Sequence, residues 1–146
     1  MSSAVLNGGL REANSIVSVH VPEETGLNVD DDVHMEAGDY LRKETGTLGI
    51  PQDQLVGIMT AAKMKNVDIA TSKFEDITLT AIATAGVHFA ATAGDEIASK
   101  QSAFPPIKWG TINIIVLVDG DLTDSCMVNA VSTVAEAKTV ALRELD

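Results

Sequence analysis

The sequence predicts an α/β or α+β fold in which helices pack on a mixed sheet. Three features support this prediction: β-branched runs are separated by polar breaks, residues 111–118 form one branched-aliphatic run, and the chain ends in a long amphipathic segment. With 146 residues the chain has the length of one domain, and we expect a single domain over residues 1–146. A hydrophobic fraction of 45% with 21% charged residues is typical of a folded globular chain.

The first half of the chain predicts two strands and one helix. Ser15–Val21 alternates apolar with polar residues, which predicts a half-buried strand that Pro22 ends. Residues 22–33 are rich in carboxylates and predict an exposed loop. A helix of about 12 residues is predicted between residues 35 and 48, weakened by Gly38, and Leu55–Thr60 predicts a second strand.

The second half predicts two further strands and the long helix. Ile77–Thr84 alternates strictly, and Thr111–Val118 is apolar enough for a strand covered on both faces, which we place at the centre of the sheet. Thr123 is a suitable N-cap for a final helix of about 20 residues. Residues 94–110 are polar and contain two prolines, which favours a loop that could close as a lid. The apolar stripe predicted for the last helix comprises Met127, Val131, Val134, Ala141 and Leu145, flanked by Val128, Ala135 and Leu142.

Composition excludes several classes of protein. A net charge of -11, without a run of Lys and Arg, argues against a nucleic-acid partner. No segment has the apolar density of a membrane span, and the first residues lack the pattern of a signal peptide, so we expect a cytoplasmic protein. Cys126 is the single cysteine, which excludes an internal disulfide and a thiolate-built zinc site, and we interpret it as a packing residue. An oligomer of identical chains is compatible with the sequence.

Two of the predicted strands end in a threonine followed by small residues. Thr60 precedes two alanines, and Thr84 precedes Ala85 and Gly86. Small residues at a strand end let the backbone approach a ligand closely. The alternative is that these residues only form the next turn.

Five strings of sequence, in this order and spacing, resemble the CbiZ-type adenosylcobinamide amidohydrolases of corrinoid salvage. They occupy residues 2–10 (SSAVLNGGL), 56–62 (VGIMTAA), 84–87 with 93–95 (TAGV and AGD), 110–115 (GTINII) and 135–139 (AEAKT). Members of that family usually carry further residues before the Asn-Gly-Gly string, so the resemblance implies a domain shortened at its N-terminus. Residues 87–92 also differ from the Asn-bearing and often basic sequence found there in the family.

The resemblance implies hydrolysis of the amide that joins aminopropanol to the corrin ring of adenosylcobinamide, with adenosylcobyric acid as the product. The corrinoid is then the substrate, and neither a cofactor nor a catalytic metal is expected. Amide hydrolysis needs an activated water or a nucleophile, stabilisation of the oxyanion, and an acid for the leaving amine. The alternative is a corrinoid-binding or regulatory module of the same fold without hydrolytic activity.

Two asparagines in these strings are candidates for holding the substrate. Asn7, with the backbone N–H groups of Gly8 and Gly9, could bind the developing oxyanion. The alternative is that the Asn-Gly-Gly segment only forms a hairpin turn. Asn113 lies in an otherwise apolar strand and therefore needs partners, which are either structural or provided by the substrate. The predicted substrate-binding residues are Gly8, Gly9, Thr60, Thr84, Gly86, Asn113 and Trp109.

The predicted catalytic residues are Glu136, Asp95 and Asn7, and the two carboxylates are the candidates for acid and base chemistry. Glu136 could be the general base, although a polar strip on a helix usually faces solvent. Asp95 precedes the predicted lid and could act there or cap a helix. His88 is the histidine nearest to a family-like string, and Trp109 could form one wall of the site or pack in the core.

Overall fold

The described part of the chain contains two sheets and two α-helices. The computed structural model describes residues 1–21, 36–86 and 111–145. Strand β1 (Ser15–His20) pairs in parallel with β2 (Leu55–Thr60), and β3 (Asp68–Phe74), β4 (Ile77–Ala85) and β5 (Ile112–Asp119) form an antiparallel sheet in that order. The helices are α1 (Ala37–Thr45) and α2 (Asp124–Arg143), and short 3₁₀ turns cover Gly46–Leu48, Gln52–Gln54 and Met64–Asn66. The predicted α/β class with a long C-terminal helix is confirmed, but the parallel and antiparallel pairs belong to different sheets.

The predicted positions of four strands and both helices are confirmed, with two differences. The sequence interpretation missed β3, because the turn that joins it to β4 is built from Glu75 and Asp76 rather than from an Asn-Gly signal. Residues 111–118 were placed at the centre of the sheet, but among the described strands β4 is the middle one and β5 pairs only with β4. The predicted loop at 22–33 and the predicted lid at 94–110 lie outside the described residues.

A small apolar core lies on one face of the parallel pair. Leu6, Leu41 and Leu55 are buried together, and half-buried Val17, Val19, Ile50 and Met59 pack against them. Because side chains alternate along a strand, Val17 and Val19 occupy one face of β1 and leave Ser18 and His20 on the other. The sequence of β1 thus assigns its apolar face to α1 and its polar face to the second sheet.

The Asn-Gly-Gly segment is fastened to the beginning of β2. Asn7 adopts a left-handed conformation (φ 57°), and its side-chain Nδ2 donates hydrogen bonds of 2.7 Å to the carbonyls of Gln52 and Leu55. Ser2 and Gly9 exchange two backbone hydrogen bonds, of 3.0 and 2.7 Å. A Cβ on Gly8 would lie 2.5 Å from the Ala4 carbonyl oxygen, so this turn requires glycine there.

Helix α2 begins as predicted, but its half-buried face is narrower than the predicted apolar stripe. The Thr123 hydroxyl accepts a hydrogen bond from the Cys126 backbone N–H at 3.3 Å, which confirms the N-cap. Met127 and Val134 are half-buried, whereas Val131 is 52% exposed. Cys126 itself is exposed, so its interpretation as a packing residue was wrong: it lies in the first turn, outside the half-buried face.

Asn7→Ala should lower the free energy of unfolding, because the carbonyls of Gln52 and Leu55 both lose their side-chain donor. We expect a loss of about 1–3 kcal/mol, measured by chemical denaturation. Asn14→Ala is the matched control: its exposed amide donates to the Gln54 side chain, and we expect a change within about 0.5 kcal/mol. Equal stability of the two variants would show that the Asn7 contacts do not hold this segment.

Candidate functional site

The ends of β1, β2 and β4 meet the beginning of β5 at one edge of the molecule. Asn113 Nδ2 on β5 donates a 2.7 Å hydrogen bond to the Met59 carbonyl on β2, which joins the two sheets. A Cβ built on Gly86 would lie 3.5 Å from the Ala62 Cβ, so the segments after β2 and β4 are in contact. We call residues 60–62, 84–86 and 113 the strand-tip cluster.

Both threonines of the strand-tip cluster are buried. Thr60 is 1% exposed, and its hydroxyl accepts a 3.0 Å hydrogen bond from the Ala62 N–H, which fixes the turn after β2. Thr84 is 5% exposed and pairs with Asn113 in the register of β4 and β5. The two predicted strand ends, each a threonine followed by small residues, thus lie together in the structure, and their binding of a ligand stays a prediction.

A cavity of about 30 Å³ lies between the two sheets behind the strand-tip cluster. Its polar lining comes from Ser18, Thr84 and Asn113, and Ile58, Ile82 and Ile115 are among its apolar walls. Within residues 1–21, 36–86 and 111–145, the buried hydroxyls of Ser18 and Thr84 have no hydrogen-bond partner. The cavity is large enough for one water molecule. Such a water would give the two hydroxyls hydrogen-bond partners, and burying a hydroxyl without a partner is costly.

Asn7, Gly8 and Gly9 lie at the opposite end of β2. The Asn7 amide binds at Gln52 and Leu55, where β2 begins, whereas Thr60 ends the strand. Five residue steps of about 3.3 Å separate Leu55 from Thr60 by roughly 16 Å. The structure thus brings together Thr60, Thr84, Gly86 and Asn113 and places the Asn-Gly-Gly segment elsewhere. Both N–H groups of the Asn7 side chain are already donated to backbone, which favours the structural alternative.

Glu136 is exposed on α2. At about 100° per residue it lies about 180° around the helix from half-buried Met127, so it projects away from the packed face. A general base for water would need partial shielding from solvent, and this placement favours the alternative of a solvent-facing carboxylate. Asp95, His88 and Trp109 lie outside the described residues, and their roles stay predictions.

His20 is a candidate that the sequence interpretation missed. It ends β1, pairs in register with Thr60, and is half-buried. It shares the face of β1 with Ser18, which lines the cavity between the sheets. The sequence did place His20 near the end of a predicted strand. Its neighbours could not be identified without knowing that this strand pairs in parallel with β2.

The described residues contain few other groups with perturbed chemistry. Burial and, secondly, the Glu44 carboxylate raise the pKa of Tyr40 above its ordinary value of 10.0, so its phenol stays protonated at neutral pH. No three His, Cys, Asp or Glu side chains in those ranges are grouped as metal ligands would be. No helix in the described part of the chain is sufficiently long and apolar to span a membrane.

Comparison with known proteins places the chain in a family of amidohydrolases. The family model described as CbiZ, adenosylcobinamide amidohydrolase, matches residues 1–146. The chain therefore belongs to the CbiZ family, which confirms the resemblance of its sequence strings.

Two curated relatives show how much of a longer protein the chain represents. It is 31% identical over 142 residues to an adenosylcobinamide amidohydrolase of Methanosarcina mazei, covering 97% of this chain and 59% of that protein. It is 33% identical over 121 residues to the uncharacterized protein MJ1613 of Methanocaldococcus jannaschii, covering 74% of this chain and 48% of that protein. The chain thus spans about half the length of these relatives. No solved structure matches it.

Asn113→Ala should weaken the junction between the sheets, because the Met59 carbonyl loses its donor. We expect the free energy of unfolding to fall by about 1–3 kcal/mol in chemical denaturation. The control Asn129→Ala removes the same amide from an exposed position of α2 and should change stability by no more than about 0.5 kcal/mol. If Asn113→Ala were as stable as this control, the junction would not depend on the Asn113 amide.

Proposed function

We propose that this chain hydrolyses the amide between aminopropanol and the corrin side chain of adenosylcobinamide, releasing adenosylcobyric acid. The proposal includes a cytoplasmic role in corrinoid salvage. Water is the nucleophile, and the corrinoid is the substrate rather than a bound cofactor. Membership of the CbiZ family and similarity to the Methanosarcina mazei relative support this activity.

The observation that carries the proposal is the convergence of Thr60, Thr84, Gly86 and Asn113. These residues come from three strands and two sheets, and the Asn113–Met59 hydrogen bond brings them to one edge. The residues at 61, 62, 85 and 86 are small, and among them Ala85 is exposed, Ala61 and Gly86 are half-buried and Ala62 is buried. We assign substrate binding to this strand-tip cluster.

The size of the cavity limits how the corrinoid can bind. A volume of about 30 Å³ accepts a water molecule and not a macrocycle. We therefore place the corrin ring outside the strand tips, with only its amide side chain directed toward them. In this arrangement Trp109 and Asp95 remain candidates for the outer wall and for acid or base chemistry, as the sequence predicts.

The direct test is to incubate the protein with adenosylcobinamide and to follow the products by mass spectrometry. We expect adenosylcobyric acid and free aminopropanol in equal amounts, because hydrolysis of one amide releases one of each. Binding of adenosylcobinamide without either product would instead favour the corrinoid-binding module. Absence of both binding and turnover would contradict both functions.

The same assay decides the role of Glu136. Glu136→Gln keeps the size of the side chain and removes its basicity, so a general base would lose about 10²–10⁴-fold in rate. The exposed position of Glu136 instead predicts a rate close to that of the unsubstituted chain. A large loss of kcat with unchanged corrinoid affinity would overturn this expectation and restore Glu136 as the base.

A further inference from the structure

The polar face of β1 carries two side chains toward the second sheet. Ser18 lines the cavity with Thr84 and Asn113, and His20 follows two residues later on the same face. Val17 and Val19, on the other face, pack against the leucine core. His20 does not line the cavity itself, but it lies on the same face of β1 as Ser18, two residues nearer the strand tips.

The register of the parallel pair fixes where His20 lies. His20 pairs with Thr60, and the Val21 N–H donates a 2.9 Å hydrogen bond to the Thr60 carbonyl, so β1 and β2 end at the same level. The neighbouring carbonyl of Met59 accepts the hydrogen bond from Asn113. These contacts place the end of β1 beside the strand-tip cluster, and half-burial leaves part of the His20 side chain accessible to a ligand.

His20 is the one ionisable side chain among the inward-facing residues of this region that the structure describes. Thr60, which pairs with His20, is neutral near pH 7, and so are the polar residues that line the neighbouring cavity, Ser18, Thr84 and Asn113. Helix α1 packs on the opposite face of β1 through Leu41, and its charged side chains are exposed. Lys63 follows the strand-tip cluster but is exposed.

We propose that His20 is the proton-transfer residue of the amide hydrolysis described above, an inference that rests on the proposed function. Histidine changes its charge near neutral pH and can both accept and donate a proton in one reaction cycle. Asn7 is committed to backbone contacts and Glu136 is exposed on the far side of α2, so neither offers a comparable position.

The step balances with water as the only co-reactant. Neutral His20 accepts one proton from water as the oxygen forms a bond to the amide carbon. The resulting imidazolium donates that proton to the amide nitrogen as the carbon–nitrogen bond breaks, which gives a carboxylic acid and a free amine. His20 returns to its neutral form, and no oxidant or reductant is required.

The test compares the pH dependence of hydrolysis of adenosylcobinamide by the unsubstituted chain and by His20→Gln. Glutamine retains a polar side chain but cannot take up a proton near neutral pH. We expect kcat to fall about 10²–10⁴-fold with KM largely unchanged. The rate of the unsubstituted chain should also decline as the pH is lowered, because a protonated imidazole cannot accept a proton from water, and this decline should be absent in the variant.

Two further variants separate chemistry from structure. His20→Ala with added imidazole should regain part of its rate, because a free imidazole can enter the space left by the side chain and carry the proton. Lys73→Gln, on exposed strand β3, is the control for removing an ionisable group and should leave kcat unchanged. Circular dichroism and denaturation of each variant would verify that the fold is retained.

The possible outcomes distinguish this inference from the function on which it rests. Without turnover by the unsubstituted chain, the proposed hydrolysis and the step assigned to His20 both fail. If the unsubstituted chain is active and His20→Gln keeps its rate and its acid limb, only the role of His20 is overturned. Loss of rate in His20→Gln with rescue of His20→Ala by imidazole supports the role, and loss without rescue in a folded variant contradicts it.

Discussion

The hydrogen bond from Asn113 to the Met59 carbonyl is the contact on which the geometry of the candidate site depends. Asn113 lies in a strand that is otherwise branched and apolar from Ile112 to Val118, where an unpaired amide would be costly. The Met59 carbonyl gives it a partner on the other sheet. The same contact sets the ends of β2 and β4 at one level, and it thereby allows Thr60, Thr84 and Gly86 to form one cluster.

The two ends of β2 serve different purposes. At its beginning, Asn7 satisfies two backbone carbonyls and fastens the N-terminal segment next to the buried leucines. At its end, Thr60 holds the following turn and pairs with His20, two residues beyond Ile58, which lines the cavity between the sheets. Hydrogen bonding to backbone dominates at the first end, whereas buried hydroxyls without partners among the described residues collect near the second. We therefore assign a structural role to the family-like string at residues 2–10 and the chemistry to the strings at residues 56–62 and 84–87.

Local patterns in the sequence predicted most strands and the last helix, since alternation and N-capping are properties of neighbouring residues. The small residues after Thr60 and Thr84 predicted strand ends that a ligand could approach, but not that the two ends lie together. Which strands pair is not encoded by any local pattern. For this reason the sequence did not indicate that β5 lies at the edge of the described sheet or that Asn7 lies away from the strand-tip cluster. Strand β3 was missed because Glu75, with φ 53°, occupies a turn position that Asn or Gly usually fills.

The position of His20 illustrates the same limit. Its chemistry is visible in the sequence, but only the parallel register with β2 and the alternation of β1 place it beside Thr60 and the cavity. Glu136 is exposed because it lies opposite the half-buried face of α2. That face is narrower than the apolar stripe predicted for the helix, and the sequence alone did not indicate which side of α2 would be covered.

The central claim is that the corrinoid binds at the strand-tip cluster and not at the Asn-Gly-Gly segment. Hydrogen exchange with and without adenosylcobinamide measures this most directly, because the two regions lie roughly 16 Å apart along β2. The account predicts slower exchange of the backbone amides of residues 60–62, 84–86 and 111–113 on binding, with no change at residues 6–9. Protection confined to residues 6–9 and 52–55 would contradict it.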